Sequence, residues 1–381
     1  MKKVSKLMLC GILTMSSISA SPSVSKATEN SELEENVIMS SDVDSFTDLT
    51  EEDRQEILES YTEAKSFIND NGIKISKTEY IRLINLGFDS QDIQTMESDE
   101  FKENKDLVGE IIGVDTKYIK TTYIDSENSN TLSRTSSMAI PEDNATSFNE
   151  YLTKEDFEKE LEEDLSNNDE QISVSSIKML KSSDVAAKRT EYKTFKGYLV
   201  KLGSGKYRST TALLWKKIPK NREVDIMSAT PRYAKYFNLN RHKRSAKQYW
   251  EAKGIYRNKP VNEHGTIRYS STSGKWLDRT TSAGIASNLK DNYQTKYNNS
   301  TVYMKVKKIK LKMYYNFDLD VPYNKYPHNE VEVKSAYRHQ ISSGGYGLSS
   351  VDLSYDSISF NFDSLDEEFD SQINAIPKII R

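Results

Sequence analysis

Apolar residues recur at helical spacing in the first part of this 381-residue chain and at alternate positions in the second, with the change near residue 191. Thr50 opens a predicted helix with Glu51, Glu52 and Asp53 in its first turn, where negative charge favours the helix dipole. Ile57, Tyr61, Ala64 and Ile68 follow, and Gly72 supplies a stop. Ser76 with Glu79 forms a capping-box signature before Tyr80, Leu83 and Ile84, ending near Gly87. Asp89 caps a third helix carrying Ile93 and Met96, and a further turn surrounds Phe101. Together these predict a small helical domain over 48–112. Residues 113–147 lose periodicity and are rich in Ser, Thr and Asn, which predicts a linker. The segment 113–190 is read as linker throughout, except for an acidic helix at about 148–166 with Phe157, Leu161 and Leu165 on one face.

Beyond residue 191 the period is two. Phe195–Leu202 and Tyr207–Trp215 flank Gly203-Ser204-Gly205 as a hairpin. The stretch 232–252 reads as a basic helix or an irregular connection, and strands are expected at 266–269 and 282–289. In 302–319, Val302, Met304 and Val306 share one parity and Ile309, Leu311, Met313, Tyr315 and Phe317 the other. A bulge at Lys307-Lys308 would put all of them on one face. The same shift is expected between Val351, Leu353, Tyr355 and Ile358, Phe360, Phe362, with Val331, Val333 and Tyr337 alternating on a strand between. The predicted fold class is α+β by segregation: a small N-terminal helical unit and a C-terminal antiparallel β-rich, sandwich-like domain over 191–381.

Charge divides the chain at the same place. Residues 28–190 carry a net −23 and residues 191–381 a net +15, although the whole chain is only −4. Residues 28–47 are acidic and expected to be disordered. Residues 1–27 have lysines, a short apolar run and small residues before Ala20 and Ala27, the pattern of a cleaved secretory signal peptide. The sole cysteine, Cys10, lies inside it, so the mature chain would be cysteine-free, secreted or wall-associated. The pair Lys188-Arg189 at the charge boundary is a candidate processing site.

The segment TALLWKKIPKNREVD (211–225), with the basic β-half and the LGF-type helical unit before it, resembles uncharacterised exported proteins of Gram-positive bacteria. The resemblance implies export; it carries no activity and no catalytic residue.

No catalytic motif stands out. His242, His264, His328 and His339 form no metal-binding spacing, no GxSxG is present, and Asn316, Asp318 and Asp320 lack the rest of a calcium loop. No cofactor is expected. The functional lead is a cationic strip formed by Lys305, Lys307, Lys308, Lys310 and Lys312, joined by Arg241, Lys243 and Arg244 if that segment folds nearby. Lysines on an exposed edge strand also block sheet aggregation, which is the competing structural reading. The favoured function is a non-enzymatic, monomeric envelope protein binding anionic wall polymer, polysaccharide or an anionic membrane surface, with no nucleic acid. The alternatives are a secreted hydrolase with unrecognised carboxylates, and a membrane-active β-protein restrained by its acidic half.

Overall fold

The computed structural model describes residues 67–124, 147–169, 188–219, 222, 224–278, 282–341, 348–355, 358–362 and 369–380. The signal-like segment with Ala20 and Ala27, the acidic stretch 28–47, most of the helix expected from Thr50 and most of the Ser/Thr-rich segment lie outside these residues; the expected end of that helix, at Ile68, is a strand instead.

A two-stranded β1 (Phe67–Ile68) and β2 (Lys74–Ile75) precede three short helices, α1 (Lys77–Asn85), α2 (Ser90–Gln94) and α3 (Ser98–Asn104). The local signals act as read. Ser76 accepts from the Glu79 amide while the Glu79 carboxylate accepts from the Ser76 amide, and Asp89 and Asp92 form the same reciprocal pair at α2. Gly87 closes α1 with φ +85°, a left-handed conformation that glycine adopts without strain.

The strands follow as β3 (Glu110–Ile124), β4 (Ser147–Leu152), then α4 (Lys154–Asp169), β5 (Lys188–Gly203), β6 (Lys206–Trp215) and β7 (Val224–Pro231). Next come β8 (Phe237–Tyr256), β9 (Lys259–Tyr269), β10 (Trp276–Asp278), β11 (Ala283–Asn288), β12 (Tyr293–Tyr297), β13 (Ser300–Leu319) and β14 (Glu330–His339). The chain closes with β15 (Leu348–Leu353), β16 (Ile358–Phe362), β17 (Ile373–Ala375) and β18 (Lys378–Ile380). A large antiparallel sheet has the order β4-β3-β5-β6-β13-β8-β9, with β12 on the outer part of β13. A smaller one has the order β10-β11-β7-β14-β17, with β18 also on β14, while β15 and β16 pair with each other.

Alternation decides which face each side chain occupies. Phe195, Leu199, Leu213, Ile309, Leu311, Met313 and Tyr315 of the large sheet meet Met227, Ala229, Ile285, Val331, Val333 and Tyr337 of the small one in a single core. On the other face of the large sheet, Val200 and Tyr314 share a second core with Leu83, Ile84, Phe88, Ile93 and Phe101 of the helical segment. Phe157 of α4 packs on the same face between Tyr118 and Tyr192. The described residues therefore stack as helices, large sheet, small sheet.

Several expectations change. Over 67–112 the helices do not form a core of their own but share one with Val200, Leu202 and Tyr314 of the sheet. Residues 113–124, read as linker, belong to β3, paired on both sides by β4 and β5. Threonine suits a pleated strand, and here Thr121 is fully buried with its Oγ1 2.7 Å from Asn149 Oδ1. The 232–252 segment is not a basic helix: after a single 3-10 turn at Ala234–Tyr236 it holds most of β8. The parity change between Leu353 and Ile358 marks two antiparallel strands, paired Leu353 to Ile358, not a bulge within one. In β13 the bulge is real: Val306 pairs Ala252 and Lys308 pairs Glu251, so the register with β8 steps over position 307. Lys188 and Arg189 open β5 opposite Ile124 and Tyr123, within the ladder and not in a free connection.

Candidate functional site

The lysine strip of β13 divides into two environments. Lys310 and Lys312 project from the face that the helices cover. Lys310 pairs with Asp89, and Lys312 pairs with Asp92 and donates to the Gly87 carbonyl at 2.7 Å. Both carboxylates sit at the start of α2, where the helix N-terminus also favours negative charge. Tyr249 Oη donates to Asp92 at 2.6 Å. Burial would raise the Asp89 carboxyl, but the two lysines hold it far below the ordinary carboxylate range. Burial would likewise lower Lys312, and the two aspartates hold it above its ordinary value. Next to them Lys247, paired in the ladder with Lys312, meets Glu100 at 2.5 Å, and Arg268 binds Glu97 and reaches Glu100 at 3.4 Å. Arg208 is fully enclosed, donating to Asn316 at 2.8 Å and Asn104 at 2.6 Å with its guanidinium 4.3 Å from the Tyr314 ring centre. The acidic helices and the basic sheet thus neutralise each other across this layer. Lys310 and Lys312 are therefore engaged by the protein's own carboxylates and add nothing to an exposed cationic strip.

Lys305 and Lys307 remain exposed and Lys308 is half-buried beside Glu251 at 3.4 Å. Directly across from Lys305 lies Lys253 of β8, also exposed. Like charges opposite one another in a sheet destabilise it. The inner Lys312/Lys247 pair has the same cross-strand arrangement, and there Asp92 and Glu100 neutralise it. Among the described residues no carboxylate pairs with the outer two. Residues 253–262 and 293–305, the ends of hairpins β8–β9 and β12–β13, contain Lys253, Arg257, Lys259, Lys296 and Lys305 and no Asp or Glu. β13 pairs with β8 over Lys305–Leu319, with β6 over Ile309–Asp318 and with β12 over Ser300–Met304, so the stretch 305–308 has a ladder neighbour on one side only and edge protection stands as the competing reading for its lysines.

Arg241, Lys243 and Arg244 do not join this strip. The β8–β13 register passes from Tyr315/Arg244 to Asn316/Asn240, so residues 241–243 are looped out of the ladder. They lie about eleven residues along β13 from Lys305, roughly 35 Å at the usual strand rise. Arg241 and His242 line an open groove there with Asn238, Leu239, Asn240 and Asp318. Arg244 turns inward, donating to the Ser271 carbonyl at 2.7 Å over the Trp276 ring. Asn316 is held by Arg208, a cation where a calcium reading would need a metal.

A second polar cluster, missed in the sequence, lies in the main core. His339 Nδ1 is 2.6 Å from Asp225 Oδ1, and Tyr337 Oη donates to Asp225 Oδ2 at 2.5 Å. Lys193 Nζ pairs with Asp370 at 2.6 Å, and Asp370 also accepts from the His339 amide at 2.7 Å. An Asp–His pair is general-base chemistry, but His339 Nε2 has no hydrogen-bond partner among the described residues, its ring is 5.1 Å from Trp215, and all of these side chains are sealed from solvent. Its burial closes it to substrate as the described residues stand. It pins β7, β14 and β5 together. Burial alone would lower the His339 pKa; Asp225, with Glu191 and Asp370, outweighs this and raises it. Because the folded pKa exceeds the unfolded value of about 6.5, the His339 contribution is complete below that pH and declines as pH rises through the folded pKa. Urea midpoints measured across this range should fall with rising pH, and His339→Gln should flatten the slope.

Among the described residues no group of three or more His, Cys, Asp or Glu side chains is arranged to hold a metal ion, and no helix is long and apolar enough to cross a membrane. Neither a scan of protein-family models nor a search of curated proteins finds a match to this chain.

Proposed function

We propose that the chain is an exported protein, delivered by its signal-like N-terminus, that binds an anionic surface of the cell envelope through the outer end of the large sheet. The observation carrying this reading is the Lys305–Lys253 pair, set in two hairpin ends with five cations and no carboxylate. The inner lysine pair supports it by contrast, because the protein supplies its own carboxylates there. No enzymatic role is proposed: the buried Asp225–His339 pair is closed to substrate.

The test is the double variant Lys253→Glu with Lys305→Glu, assayed against polyphosphate at low and physiological salt. Binding should weaken roughly tenfold or more, since the field of several clustered cations is being reversed. It should weaken further as salt shortens the screening length to about 8 Å. Melting temperature should hold, both side chains being exposed. Unchanged binding with the charges reversed would sink the proposal.

A further inference from the structure

We propose that the anionic surface taken by this end is a lipid bilayer, with Ile255 and Tyr303 entering the headgroup layer among the lysines. The charge component rests on the reading above; the apolar component is new.

Ile255 is 72% exposed and Tyr303 58% exposed, among the most exposed large apolar residues described. Strand parity places them together. Lys305 and Lys253 face each other, and Tyr303 and Ile255 lie two residues farther toward the tip on the same two antiparallel strands, hence on the same face. On the flanking strands, Gln294 of β12 lies opposite Tyr303, Lys296 opposite Thr301, and Pro260 of β9 opposite Ile255. The apolar pair is therefore bordered by Lys253 and Lys305 on one side and Lys296 on another, with Arg257 in the adjoining turn. The opposite face of the same strands is already satisfied: Val302, Met304 and Val306 belong to the main core.

Among the described residues the surroundings leave this face open. Both hairpins turn through two left-handed residues, Arg257-Asn258 and Asn298-Asn299, so no long loop folds over it. Four strands at the usual spacing make a surface about 15 Å across. The helices end their cover at Lys310, inward of the bulge. A soluble polyanion offers lysines a partner but gives an exposed isoleucine nothing. A bilayer interface offers both: phosphate for the ammonium groups, which reach outward on their alkyl stems, and an apolar layer for isoleucine and the tyrosine ring. The occupant is thus fixed by two complementary chemistries, charge and hydrophobicity, arranged in one plane.

The experiment uses the chain from Thr28, which keeps every described element and removes the apolar leader that would bind lipid by itself. Binding is measured by co-sedimentation with vesicles of phosphatidylcholine alone, with vesicles containing phosphatidylglycerol, and by titration with polyphosphate. The variants are Ile255→Ala with Tyr303→Ala, and Lys253→Glu with Lys305→Glu. The expected result is binding to the anionic vesicles only, weakened about tenfold by the alanine pair, as loss of the inserted apolar area implies. The same alanine pair should leave polyphosphate binding unchanged, and both variants should melt with the parent. If the alanine pair has no effect on vesicles, the lipid inference falls while the anionic-surface reading stands. Equal binding to phosphatidylcholine alone would overturn the charge component, and no binding to vesicles or polyphosphate would overturn both.

Discussion

Asp370→Asn should lower the unfolding free energy by about 3–5 kcal/mol, the usual effect of breaking a fully buried ion pair from one side. Lys193 and Asp370 are both wholly enclosed, and the ammonium also lies over the rings of Trp215 and Tyr337, 4.7 and 5.4 Å away. The amide keeps an acceptor for the His339 N–H, so the loss isolates the uncompensated charge. A typical domain has only about 5–15 kcal/mol to lose, and the urea midpoint should move accordingly. Adding Lys193→Met should recover most of the deficit, because removing both charges eliminates the desolvation problem. A single-variant loss below about 1 kcal/mol would mean that water reaches the pair.

Lys312→Met should be comparably severe, about 3–5 kcal/mol, but with a local signature. It leaves Asp92 and Asp89 facing each other under α2 with Lys310 as their remaining cation at that point. Amide exchange should accelerate first in 77–104, where the helices lose their charge anchor, and only later in the sandwich core. Lys305→Met, seven residues along the same strand, should change stability by no more than about 0.5 kcal/mol because its side chain is exposed. Similar losses at both positions would show that the inner pairing has been misassigned.

The contrast between these two lysines marks how far the sequence could be read. Features set within a few residues were legible: the Ser76–Glu79 box, the Gly203–Gly205 hairpin turn and the parity change at Lys307. The antiparallel, strand-rich character followed from alternation alone. What escaped depended on distant partners. Nothing near Lys312 signals that it is covered, because its carboxylate lies 220 positions away, and Asp225 and His339 are 114 apart. The charge division between the halves was visible, but its physical meaning was not: it is partly an internal neutralisation between α2, α3 and the sheet. Composition also misled at β3, where Ser, Thr and Asn read as linker although threonine hydroxyls there pair across strands.

The extra residue that the bulge inserts at position 307 limits how this protein can change. β13 consists of two segments in opposite phase, joined so that Lys305 and Lys312 emerge on one side despite their odd and even numbers. Deleting that one residue would rotate the outer segment by half a period, sending Tyr303 and Lys305 toward the core and bringing Val302, Met304 and Val306 to the surface. The outer end can accept many substitutions, but single-residue insertions or deletions between 302 and 309 are closed to it. Its surface chemistry is set by counting as much as by composition.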